Sequence, residues 1–183
     1  MLKNNLIKTI VVLLVFCANI ATAHDEADYV DGVASGNIES SAPSASSVKK
    51  TPVPNKNFPD LSEVFTTGLK VSNFKELFII SGHGALTPDF QIRHAGNPAA
   101  QARHIFLEVQ KYMAENGYSF NDLIQIQMTI TKEVTDEQFG EVVEVYKGFM
   151  KGIAVLPTGG TMRVVDRLAF PGMLVEFEFM AAK

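Results

Sequence analysis

The chemistry on offer near the end of the chain is that of arginine and carboxylate. Arg163, Val165 and Arg167 alternate along one extended run, and Glu176 and Glu178 alternate along the next. At a period of two, each set points to one side of its strand. A guanidinium is a planar fork that stays charged and can hold a carboxylate through two hydrogen bonds. A glutamate can place a water or move a proton if its pKa is shifted or its water is well positioned. Arg163 and Glu176 are therefore candidates for gripping a small acid and delivering water to it. The plainer alternative is a cross-strand ion pair between Arg163 and Glu178. Arg167 shares the face of Arg163 and reads as structural.

A second constellation is Ser81-Gly82-His83-Gly84. No His-Asp arrangement accompanies Ser81, so a serine nucleophile is not indicated. The backbone amides near Gly82 and Gly84 are better suited, as donors to a carboxylate or to developing charge. His83 either extends such a site or finishes the turn. His94 and His104 read as surface residues. The four histidines lack HxH or HExxH spacing, so a metal site is not indicated.

These residues need elements to carry them. Two runs rich in β-branched and aromatic residues flank Ala169-Phe170-Pro171-Gly172, which predicts an antiparallel hairpin. With Leu168 opposite Met173, Arg163 falls opposite Glu178 and diagonal to Glu176. Upstream, Val64–Val71 reads as a strand weakened by Gly68, and Glu76–Ser81 as a buried strand. Asn97 caps a helix with Pro98 at its first position; Ala102, Ile105, Phe106, Val109 and Met113 form its apolar stripe, and Gly117 ends it. In Leu123–Ile130, Ile124, Ile126, Met128 and Ile130 face one way, and Gln125, Gln127 and Thr129 the other. Thr135 and Gln138 form a capping box for a second helix marked by Phe139, Val142, Val143, Tyr146 and Phe149. The order β-β-α-β-α-β-β predicts an α+β sandwich, two helices covering one face of a sheet. The opposite face is too polar for a core, yet regular enough for a wet subunit interface.

Composition bounds the rest. The chain has 183 residues, 46% of them hydrophobic, a formal charge of −4 and a pI near 5.6. No Lys/Arg run is present, which argues against a nucleic-acid surface. One cysteine excludes an internal disulfide. Lys3 and Lys8 precede an apolar run from Ile10 to Ile20 that exits through Ala21-Thr22-Ala23. Residues 1–23 thus read as a secretory signal peptide; the run is shorter than the ~20 apolar residues a membrane span needs. Cleavage after Ala23 would export a cysteine-free protein, periplasmic or secreted, with no membrane anchor left. Residues 24–57, rich in Ser, Ala, Gly, Pro, Asp and Glu, read as a disordered linker. The folded domain is expected over 58–183.

From about Val64 to Ala182 the chain resembles the RidA/YjgF/L-PSP family of enamine/imine deaminases. Four features in order carry the likeness: Ile80-Ser81-Gly82 closing a strand, Ala100-Gln101-Ala102 opening a helix, an arginine on the penultimate strand, and Val175-Glu176-Phe177-Glu178 on the last. The resemblance implies a chorismate-mutase-like fold with a mixed sheet. It also implies a homotrimer whose polar sheet faces meet, with active sites in the subunit clefts. It assigns Arg163 to the substrate carboxylate, Glu176 to water, and Ser81 and Gly82 to backbone contacts, with His83, Phe65 and Val165 beside the substrate. The implied reaction is hydrolysis of small 2-enamino or 2-imino acids to 2-oxo acids and ammonia, without a cofactor. Three departures stand out. The family's Pro-Tyr is Val64-Phe65, its Ser-Gly-Gln is Ser81-Gly82-His83, and an asparagine of the second helix is matched by Val143. The lost phenol and amide leave open a non-catalytic protein that binds a small carboxylate. The ribonuclease activity in one family name fits the acidic charge poorly.

Overall fold

Phe106 sits at the centre of the core, fully buried, with its ring centroid 4.9 Å from Phe177, 5.5 Å from Phe179 and 5.1 Å from Phe149. Those partners come from a helix and a strand far apart in sequence, so one residue reports the layering. The computed structural model describes residues 48–54, 57 and 64–183. In chain order the elements are β1 (Lys49–Val53), β2 (Gly68–Ser72), β3 (Leu77–His83), α1 (Pro98–Glu115) and a single 3-10 turn (Phe120–Asp122). Then come β4 (Leu123–Thr131), α2 (Asp136–Met150), β5 (Thr158–Gly159), β6 (Arg163–Val165) and β7 (Val175–Ala182).

The main sheet runs β3-β7-β4, with β5 and then β6 on the far edge of β4. It is mixed: β7 is antiparallel to β3 and β4, whereas β5 and β6 are parallel to β4. Alternation drives this arrangement. Val175, Phe177, Phe179 and Ala181 of β7 are buried, as are Ile126 and Ile130 of β4. They meet the stripe Ala102, Ile105, Phe106, Val109 and Met113 of α1 and Val142, Tyr146 and Met150 of α2. Burial pushes the Tyr146 phenol up to about 12. The two helices lie on one face, as the α+β expectation requires.

The helix ends follow the sequence signals. Asn97 Oδ1 accepts from the Ala100 amide at 2.9 Å, Pro98 opens α1, and Gly117 takes a left-handed φ of 79° just beyond it. Thr135 and Gln138 close a reciprocal capping box on α2.

Two expectations are corrected. The segment read as a structureless linker contains β1, which pairs antiparallel with β2 from Lys49↔Ser72 to Val53↔Gly68. Lys50 Nζ donates to the carbonyls of Asn121, Leu123 and Val155, tying β1 to the turn before β4 and the loop after α2. A short, polar, proline-containing strand has no apolar alternation; these partners hold it in place instead. The signal peptide and the rest of the linker lie outside the described residues. The predicted C-terminal hairpin is also absent. Both edges of β7 are taken by β3 and β4, so β6 pairs with β4 instead, Thr129↔Arg163 to Thr131↔Val165. Consequently Arg163 is not opposite Glu178. Alternation shows that two segments are strands, but not which strand lies between them.

Candidate functional site

Thr129 pairs with Arg163 on one side and with Glu176 on the other, so the three form one row across β6, β4 and β7. All three face away from the helices. At the usual strand spacing the Arg163 and Glu176 backbones are roughly 10 Å apart, close enough for both side chains to reach one small molecule above Thr129.

Glu176 is half-buried, and its surroundings are unusual for a strand carboxylate. A Cβ built on Gly82 would lie 2.5 Å from Glu176 Oε1, so the side chain lies directly against the glycine backbone. Gly82 sits in the irregular stretch of β3 where the pairing with β7 slips between Ile80 and His83. Burial holds the Glu176 carboxyl above its ordinary range; Glu178 pushes the same way, and His83 opposes. A carboxylate in this setting keeps protons longer than an exposed one.

The guanidinium of Arg163 makes no ion pair with Glu178. Its Nη2 donates to Gln127 Oε1 at 3.2 Å, and Gln127 Nε2 donates in turn to Glu178 Oε2 at 3.0 Å. A neutral amide thus stands between the two charges. Gly160 provides its room, since a side chain there would overlap that of Gln127. Among the described residues the four ion pairs all use lysine or histidine as the cation. Both Arg163 and Arg167 are therefore left with charge to offer a ligand.

Beside the row, Thr129, Val165, Arg167, Leu168, Ala169 and Glu176 line an open pocket of about 420 Å³. Of the residues expected from sequence, Glu176 and Val165 line it and Gly82 backs Glu176. Arg163 does not line it; its guanidinium is turned toward Gln127. Ser81 is exposed, and its carbonyl accepts from His83 Nδ1 at 2.8 Å. The His83 ring turns toward Tyr112 of α1, centroids 6.3 Å apart, so it influences Glu176 without lining the pocket. Phe65 packs its ring against Gly159 and is absent from the pocket wall. Val143 lies half-buried on α2. No group of three His, Cys, Asp or Glu among the described residues is disposed to hold a metal ion.

Sequence reasoning gave Arg167 a structural part and passed over Thr129 as a wall of the site. It also passed over Gln101. This fully buried amide accepts from the Leu174 amide at 2.9 Å and donates to the Gly172 carbonyl at 2.9 Å. The Leu174 carbonyl is bound from the other side by the Thr131 amide at 3.0 Å. The strand carrying Glu176 is thus fixed two residues before it. The signal was a polar residue inside the apolar stripe of α1.

The sequence family described as Endoribonuclease L-PSP matches residues 62–183, most of the chain. No curated protein matches it in sequence. The structure superposes on YyfB from Yersinia pestis, a protein of unknown function of the conserved Rid protein family. The TM-score is 0.65 at 15% identity, over 73% of this chain and 98% of that one. YyfA from the same organism, described in the same words, gives a TM-score of 0.51 at 19% identity, over 74% and 100%. At such identities the likeness is one of fold: two helices on a mixed sheet in the chorismate-mutase-like arrangement. Its β1 strand lies before the matched segment, and from Ser62 onward the chain belongs by sequence and by fold to the RidA/YjgF/L-PSP family.

Proposed function

We propose that the protein hydrolyses small 2-imino or 2-enamino acids to 2-oxo acids and ammonia. The observation that carries this is the Arg163–Thr129–Glu176 row, with an unspent guanidinium at one end and a proton-retaining carboxyl at the other. Arg163 holds the substrate carboxylate. Glu176 orients a water and accepts one of its protons as oxygen attacks the imine carbon. The C=N electron pair moves to nitrogen, which takes a proton. Collapse of the resulting carbinolamine breaks the C–N bond, releases ammonia and leaves C=O. The imine is already electrophilic, so the step needs no cofactor.

The reading includes a homotrimer closed through the outer sheet faces. It draws support from the apolar side chains on that face, Ile79 being 68% exposed and Leu77 48%. It also includes export after cleavage at Ala23, which the mass of the mature protein checks. Light scattering checks the trimer.

The test is ammonia release from 2-iminopropanoate generated in place by an amino-acid oxidase. Acceleration over spontaneous hydrolysis, lost in Arg163→Ala and Glu176→Gln, is the expected result. Phe65 favours a second reading, since a phenyl ring offers no hydroxyl where the resemblance implies one. In that reading the cleft only binds small carboxylates, which calorimetry would detect without any acceleration.

A further inference from the structure

Arg167 has no role in the reaction just described, yet its side chain lines the pocket with Glu176 and Thr129. No hydrogen bond or ion pair to its side chain is formed among the described residues, and its chain neighbour Asp166 is paired with Lys132. Glu178 accepts from Gln127, and Glu176 lies against Gly82. Arg163 leans the other way, toward the row of Gln127 and Glu178. Arg163 stands in the Thr129–Glu176 row itself, and Arg167 follows it four residues later along the same run. Four residues of extended chain set the two backbones roughly 13 Å apart, so the side chains must converge to share one ligand. Between them the wall is short and apolar, formed by Val165, Leu168 and Ala169.

We propose that the preferred substrates carry a second anionic group, held by Arg167, while Arg163 holds the carboxylate next to the reacting carbon. The class is a 2-imino dicarboxylate. This rests on the reading of the row as the reactive site. A monocarboxylate would leave Arg167 facing the pocket without a partner. A dicarboxylate gives each fork a planar anion, the geometry guanidinium holds best.

Two measurements decide it. First, ammonia release is compared for the imines of glutamate and of 2-aminobutanoate, each generated by its oxidase. The dicarboxylic imine should be preferred by about tenfold or more in kcat/KM, the worth of one charge-assisted contact. In Arg167→Gln the loss should be larger on the dicarboxylic imine, so that the preference falls toward one. Arg163→Gln should lower both rates together. Arg167→Lys, which keeps the charge, should retain part of the preference. Secondly, calorimetry compares 2-oxoglutarate with 2-oxobutanoate. Tighter binding of the former, abolished in Arg167→Gln, supports the second anion site even if no imine is hydrolysed. Hydrolysis without acid preference, or equal losses on both substrates in Arg167→Gln, overturns this inference and leaves the deaminase reading intact. Equal affinity for the two oxo acids overturns it as well.

Discussion

Gly82 and Glu176 are in direct contact: a methyl group on the glycine would come 2.5 Å from one carboxylate oxygen and 2.8 Å from the carboxyl carbon. What Gly82 supplies is space. The atoms in the way are the far end of a flexible side chain, so Gly82→Ala should displace the carboxylate and not the strand. Stability should change by about 1 kcal/mol or less, a few degrees in Tm. Imine hydrolysis should fall about tenfold to a hundredfold, within the range expected for a misplaced acid–base group. Full activity in Gly82→Ala would show that Glu176 does not act from this position.

The raised pKa of Glu176 makes it a liability to the fold. Its native carboxyl holds a proton more tightly than the unfolded one, whose ordinary value is 4.5. Between that value and the higher native one, the native state binds more protons. Stability therefore falls as pH rises through this window, and the cost persists above it. Below pH 4.5 both states are protonated and the cost vanishes. Glu176→Gln, neutral at every pH, should melt higher than wild type at pH 7, with the difference shrinking as pH drops toward 4.5. Thermal melts at several pH values test this; a variant less stable than wild type at pH 7 would contradict it. The hydrolytic rate of the wild type should rise with pH through the same elevated pKa as the base becomes ionised.

How far the sequence was legible follows from which forces act locally. Helix ends were readable because Asn97, Thr135 and Gln138 cap backbone groups a few residues away. The core face was readable because Val175, Phe177 and Phe179 alternate. The partner of β6 was not, since strand pairing is a long-range choice and β7 had no free edge left. That error hid the row through Thr129 and replaced the Arg163–Gln127–Glu178 chain with a direct ion pair. Strand β1 was invisible for a different reason. Its place depends on β2 and on three carbonyls met by Lys50, all far along the chain.

Gln101 links helix α1 to the start of β7, and its removal should be felt in stability first. Gln101→Leu keeps similar bulk but leaves the Leu174 amide and the Gly172 carbonyl without their partner in a buried setting. Each orphaned group costs about 1–3 kcal/mol. The variant should melt roughly 5–10 °C lower, with helix content unchanged by circular dichroism. Gln101→Glu keeps the acceptor for Leu174 but turns the donor to Gly172 into a second acceptor, so it should be no better. A Tm within about 1 °C of wild type for Gln101→Leu would show that water replaces the amide at that point.

Arg163→Lys separates a carboxylate clamp from a structural cation. In the free protein the exposed arginine makes one side-chain hydrogen bond, to the neutral amide of Gln127. Such a bond is worth about 0.5–1.5 kcal/mol, and lysine can replace part of it, so the melting temperature should move by only a few degrees. The clamp is different. Lysine offers a point charge on a flexible stem where a planar carboxylate needs a two-pronged donor. Charge-assisted hydrogen bonds contribute about 1.5–3 kcal/mol each, and roughly 1.4 kcal/mol is tenfold in rate. The loss in kcat/KM should therefore be about tenfold to a thousandfold in a protein that still folds. An Arg163→Lys variant that remains fully active yet melts much lower would make Arg163 a scaffold residue. The carboxylate would then have to be held elsewhere, and Arg167, the other guanidinium on this face, would be the residue to test next.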